Sequence, residues 1–157
     1  MAPKLLGFLD RDAIVTELQA ATKEEAIREL IAVARARGLF DAKHEDEIAR
    51  GVLEREKKGS TGLGDGIAVP HVKECPHVKN LCGAFGRSKT GVPFDAVDGK
   101  KVHLVFLILG AKGTSGEHIT ILKKLAGLRQ NEHFLRFLRE AKDKEAIAEV
   151  IEEMTAA

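Results

Sequence analysis

The stretch V-H-L-V-F-L-I-L, Val102 to Leu109, decides the fold. It is rich in β-branched residues and nearly uniformly apolar, the composition of a strand buried on both faces. Asp98-Gly99 marks a turn ahead of it. The apolar run continues to Ala111, interrupted by His103 and Gly110, and is far too short to cross a bilayer as a helix. Working outward, Leu81 to Arg87 and Ile67-Ala68-Val69 are two shorter strand candidates, the second closed by Pro70. A weaker one lies near Ala13 to Val15.

Beyond the strands the apolar spacing turns helical. Thr22 and Glu25 make a capping box ahead of the stripe Ala26, Ile27, Leu30, Ile31 and Ala34, and Gly38 can stop that helix in the left-handed conformation. A second helix is predicted to open at Asp41, bury Ile48, Ala49, Val52 and Leu53, and end near Gly59. Its last turn carries Arg55, Lys57 and Lys58, which suits the negative end of the helix dipole. After the central strand, Thr114 and Glu117 spell another capping box before Ile121, Leu122, Leu125 and Leu128. Asn131 and Asp143 are the next N-caps, preceding Phe134, Leu135 and Leu138, then Ala146, Ile147, Val150 and Ile151. Helices, then strands, then helices around one buried strand imply an α/β protein with helices packed on a central mixed sheet. A length of 157 residues favours a single domain over 1–157.

Composition narrows the function classes. The 44% hydrophobic content suits a globular protein with a real core. Lys and Arg number 25 against 24 Asp and Glu, for a net charge of +1, which argues against broad binding to nucleic acid or to an anionic membrane. Aromatic content is 4%, with no Trp or Tyr, so a base-stacking platform is not expected. The two cysteines, Cys75 and Cys82, form neither a CxxC pair nor a dense framework, which points to a reducing compartment. The N-terminus lacks a signal-peptide pattern, and a cytoplasmic protein without membrane insertion is expected.

Four features could carry chemistry. Ser60 to Gly66 reads S-T-G-L-G-D-G. Gly62-x-Gly64-x-Gly66 is neither a Walker A loop nor a dinucleotide fingerprint, and it is either a flexible connection or a close backbone approach to phosphate. His71 follows Pro70 and is presented from a stiffened turn. Its neutral ring has one unprotonated nitrogen able to act as a nucleophile, although a lone histidine near a turn is usually a surface residue. His118, one residue after Glu117, sits where a helix dipole disfavours the imidazolium and favours a nearby anion, or is an exposed helix-start residue. Arg55 is a guanidinium for phosphate oxygens, or a solvated charge at a helix end. His71, Cys75, His77 and Cys82 carry ligand-type side chains, but H-x3-C-x-H-x4-C is not a usual zinc pattern.

The block Arg55-Glu56-x-x-Gly59-Ser60-Thr61-Gly62-x-Gly64-x-Gly66-Ile67-Ala68-Val69-Pro70-His71 resembles the signature of enzyme IIA domains of the bacterial phosphotransferase system. It is similar to the fructose/mannitol class, and most of all to its nitrogen-regulatory branch. Phe94-Asp95-Ala96-Val97-Asp98-Gly99 and His118 extend the likeness, which runs from about Leu18 to Ile151. The resemblance implies a three-layer α/β/α sandwich with a central mixed sheet. It implies that His71 accepts a phosphoryl group from a phosphorylated HPr-like carrier, with His118 and Arg55 supporting the phosphate and the loop of Ser60, Thr61, Gly62, Gly64 and Gly66 beside it. A IIB-domain cysteine would then receive the group in sugar uptake; alternatively, the phosphorylation state would control binding to a kinase or transporter. No metal, nucleotide or other cofactor is expected, because the donor phosphorus is already activated on an imidazole. Val72 departs from the family's small residue and could narrow access to the ring or tilt it. Ile119 replaces the usual Leu, and Cys75 and His77 fall outside the pattern, leaving a metal-binding reading open.

Overall fold

The computed structural model describes residues 8–155, so residues 1–7, part of the N-terminus read for a leader, lie outside it. Its centre is β6 (Val102–Ala111), the anticipated strand extended by Gly110 and Ala111. Every residue of β6 except His103 is buried. Val105, Leu107 and Leu109 enter one core, and Leu104, Phe106 and Ile108 enter the other. Successive strand side chains point to opposite faces, so a strand sandwiched between two helix layers has no polar side to alternate with.

Around β6 the sheet runs β1 (Leu9–Val15), β5 (Cys82–Val92), β6, β3 (Ile67–Ala68) and β2 (Gly62–Gly64). β4 (His71–Cys75) pairs farther along the edge of β6 that also holds β3. The pairs β1/β5, β3/β6 and β4/β6 are parallel, while β2/β3 and β5/β6 are antiparallel, so the sheet is mixed. One face is covered by α1 (Lys23–Ala36) and α2 (Glu45–Lys57), which send Ile27, Leu30, Ile31, Ile48 and Val52 into the first core. The other is covered by α3 (Ser115–Leu128), α4 (Glu132–Glu140) and α5 (Lys144–Thr155), which add Ile121, Leu125, Phe134, Leu138, Ile147 and Ile151 to the second. Each fully buried Leu, Ile or Phe stabilises the fold by about 1.5–3 kcal/mol, so both faces matter. The result is the three-layer α/β/α arrangement that the resemblance implied.

Local chemistry explains most element ends. The Thr22–Glu25 capping box is formed, and Gly38 follows α1 at φ 73°. Asn131 accepts from the Phe134 N–H at 3.1 Å and Asp143 from the Ala146 N–H at 2.8 Å, starting α4 and α5. Four details differ from expectation. Asp41 caps a short 3₁₀ turn, Ala42–His44, so the α-helix proper begins at Glu45. The Thr114–Glu117 box does not form. The Thr114 hydroxyl instead donates to the Ala111 carbonyl at 2.7 Å, and its backbone (φ −107°, ψ 16°) lacks the extended shape a cap requires. Ser60–Gly66 is not an open loop, because Gly62–Gly64 pairs with Ile67–Ala68 through a turn at Asp65 (φ 56°) and Gly66 (φ 83°). β5 runs past Arg87 to Val92, with irregular pairing over that extension. Among the described residues, no helix is long and apolar enough to cross a membrane.

Candidate functional site

His71 is the first residue of β4, in register with Ile108 of β6. The Pro70 carbonyl accepts from the Ile108 N–H at 3.0 Å, which fixes the backbone entering the strand. Residue alternation turns the His71 ring toward the α3 side of the sheet, with Ile108, and sends Val72 to the α2 side, with Leu109. Val72 packs on the first core, close to the backbone of Gly51, so its bulk does not lie over the imidazole.

His71 Nδ1 lies 2.8 Å from the Val69 carbonyl oxygen. A carbonyl can only accept, so Nδ1 carries the proton and Nε2 keeps its lone pair. That Nε2 makes no hydrogen bond among the described residues and, unlike both nitrogens of His118, is not sealed from solvent. Burial lowers the His71 pKa; the Val69 hydrogen bond opposes it, the positive charges of Arg55 and Lys73 add to it, and Glu56 opposes it. The ring is therefore neutral and basic at Nε2 near pH 7.

His118, from the first turn of α3, meets it edge-on, with ring centroids 5.1 Å apart and planes at 67°. It is 1% exposed rather than a surface helix-start residue, and neither ring nitrogen has a hydrogen-bond partner among the described residues. Burial first, then His71 and Lys73, push its pKa down to about 4, so it too is neutral. A buried N–H without an acceptor costs about 1–3 kcal/mol, and an anion arriving beside it would remove that cost.

Arg55 sits in the last turn of α2, half-buried, and donates to the Gly59 carbonyl at 2.8 Å. It has no carboxylate partner among the described residues, and its charge is felt at His71. Ser60 donates its hydroxyl to the Phe94 carbonyl at 2.5 Å and accepts from the Gly62 N–H at 3.0 Å. The Thr61 hydroxyl donates to Glu56 Oε1 at 2.6 Å, and its N–H to Oε2 at 2.8 Å. Gly62 presses against Ala96, where an added Cβ would sit 2.7 Å from the alanine Cβ. Gly64 lies against Asp98 and Arg129, and Gly66 against Arg139 and His103. The structure thus brings His71 and His118 together, sets Arg55 at electrostatic range, and uses Ser60, Thr61 and the glycines in internal contacts.

The four candidate metal ligands do not converge. Cys75 and Cys82 are buried free thiols on strands that flank β6 on opposite edges. Burial pushes the Cys82 thiol up to about 12, with Cys75 adding to the effect, so it stays protonated and binds metal poorly.

Sequence reasoning missed three contributors. Gly110 makes room for His118: a Cβ there would fall 2.6 Å from its Nδ1, and the signal was a glycine inside the most apolar strand. Glu56 is 5% exposed, binds Thr61 twice and pairs with Lys23 at 3.2 Å. Its only signal was its place beside Arg55. Lys73 is exposed and bears on both histidines, with nothing in the sequence to single it out.

Comparison with known proteins identifies the family. The family described as the phosphoenolpyruvate-dependent sugar phosphotransferase system, EIIA 2, matches residues 7–154. The chain is 35% identical over 148 residues to the fructose-specific EIIABC component of Bacillus subtilis, covering 94% of this chain but only 23% of that protein. It is 33% identical over 140 residues to a nitrogen regulatory protein of Bradyrhizobium diazoefficiens, covering 89% of each. The crystal structure of nitrogen regulatory protein IIA-Ntr from Neisseria meningitidis superposes with a TM-score of 0.83 at 31% identity, over 92% of this chain and 96% of that one. IIA mannitol from Escherichia coli gives 0.76 at 26% identity, over 90% and 97%. The overall fold is therefore shared, and the chain belongs to the EIIA 2 family of the phosphoenolpyruvate-dependent sugar phosphotransferase system.

Proposed function

We propose that residues 1–157 form a single phosphoryl-carrier domain acting in the cytoplasm. It accepts a phosphoryl group on His71 Nε2 from a phosphorylated HPr-like protein and passes it to a IIB-domain cysteine in sugar uptake. The observation that carries this reading is the Nδ1–H···O=C bond from His71 to Val69, which leaves Nε2 as the free base beside a partnerless imidazole. The Nε2 lone pair attacks the donor phosphorus in line as the donor P–N bond breaks, and the donor ring leaves with that electron pair as a neutral imidazole. The phosphorylated His71 ring gains positive character, which the Val69 carbonyl offsets. An N–H of His118 and the Arg55 guanidinium, swung off Gly59, take phosphoryl oxygens. One such ion pair at about 4 Å contributes up to roughly 4 kcal/mol at an effective dielectric of 20. A complex of enzyme IIA mannitol with phosphorylated IIB mannitol from Escherichia coli, 26% identical in its IIA chain at a TM-score of 0.72, supports a IIB partner. Incubation with phosphorylated carrier protein should add one acid-labile phosphoryl group by mass. Undiminished labelling of His71→Ala refutes the assignment.

The higher TM-score to IIA-Ntr than to IIA mannitol favours a second reading, in which the charge of about −2 on phosphorylated His71 switches affinity for a regulatory target. Capture experiments with both forms of the protein test it, and an identical set of partners in the two states removes its basis.

A further inference from the structure

A second pair of histidines, unused by phosphoryl chemistry, meets at the opposite end of α2 from Arg55. His44 immediately precedes α2, and Glu47 follows three positions on, on the same side of the helix. His77 comes from the segment after β4. The His44 and His77 rings stack with centroids 3.8 Å apart and planes at 13°, and His77 Nε2 is in direct contact with Glu47 Oε2. One ligand atom from each of the three lies within 4.8 Å of the others. We propose that His44, Glu47 and His77 form a binding site for a divalent transition cation, zinc being the ion that suits two imidazoles and one carboxylate.

Several observations converge. Tetrahedral zinc with bonds of about 2.0–2.1 Å holds its ligand atoms roughly 3.3 Å apart, so the atoms are close enough to share an ion once the stacked rings turn their in-plane lone pairs toward it. The neighbouring carboxylates are otherwise engaged, Glu45 by Arg35 and Asp46 by Arg28 and Arg50. Glu47 has no Lys or Arg partner among the described residues. Its pairing with His77 satisfies one ring, and His44 makes no protein hydrogen bond through either nitrogen among the described residues, which leaves both available to a ligand. Glu47 is 61% exposed along its side chain, which leaves the fourth position open to water or to a partner's ligand. Lys43 and Lys79 line the same cavity, opposed by Asp41, and weaken the site relative to a four-ligand one. Bound zinc would tie α2, which bears Arg55, to the segment following β4, the strand that bears His71.

The test is zinc titration of tag-free, chelator-stripped protein against a chromophoric chelator, with cobalt(II) absorption as a second readout. The site predicts one equivalent per chain, affinity at least about ten-fold weaker in both Glu47→Gln and His77→Ala, and a zinc-dependent rise in melting temperature that both variants lose. Glu47→Gln is nearly isosteric and exposed, so it separates ligand loss from misfolding. Cobalt should give a visible spectrum without thiolate charge-transfer absorption. No binding, unchanged affinity in both variants, or a thiolate band implicating Cys75 or Cys82 overturns the proposal.

Discussion

The two histidine pairs of this molecule use the same side chain in opposite settings. His71 and His118 meet edge-on at the sheet edge, buried, with no carboxylate hydrogen-bonded to either ring. His44 and His77 lie face to face near the surface with a carboxylate touching one of them. A carboxylate against His71 would repel an incoming phosphoryl group, whereas a carboxylate is what a pair of imidazoles needs to hold a cation. The surroundings of the imidazole, rather than the imidazole itself, separate anion chemistry from cation chemistry.

Substitutions can break or sharpen that contrast. The largest effect belongs to His71→Ala, which should abolish phosphoryl acceptance by mass while zinc stoichiometry remains one. His118→Ala should slow transfer by about 10²–10³-fold in a rapid-quench assay with phosphorylated carrier, the range for losing one preorganised donor. His118→Gln, which restores an N–H, should recover part of it. Gly110→Ala drives a methyl group into His118, and should cost about 1–3 kcal/mol in a urea melt and slow transfer as well. Glu56→Ala leaves the Thr61 N–H and hydroxyl without their acceptor, and a loss of about 1–3 kcal/mol is expected by the same method.

The remaining expectation is a pH dependence. The unfolded chain protonates His118 near 6.5, whereas the folded one resists until about 4. The unfolded state therefore binds more protons between these values, and stability falls as pH drops from about 6.5 to about 4. The lowered pKa of His71 acts in the same direction. Urea midpoints measured across that interval should slope less in His118→Gln than in the parent.

The sequence made β6 legible because burial on both faces removes polar residues from a strand altogether, a pattern no amphipathic element shares. Thr22, Asn131 and Asp143 were legible as caps because each binds an amide within three residues. Thr114 failed because its hydroxyl had a nearby alternative at the end of β6, a preference spacing cannot reveal. His71 and His118 were visible as candidates, but that two rings far apart in the chain meet with unpartnered nitrogens depends on the register of β4 against β6. Gly110, Glu56 and Lys73 owe their importance to contacts or fields across elements, which leave no local pattern.

Glu74 adopts φ 50° at the irregularity in β4, and its carboxylate receives the Ser115 hydroxyl at 2.6 Å and the Gly113 N–H at 3.4 Å. A non-glycine residue in that conformation is strained, and the exposed hydrogen bonds of its carboxylate offset part of that strain. Glycine at this position would relieve the one and forfeit the other. A thermal melt would then register little while the strand that carries His71 and the helix that carries His118 had come unbuttoned, so a screen for robustness would pass a protein that had lost this link between them.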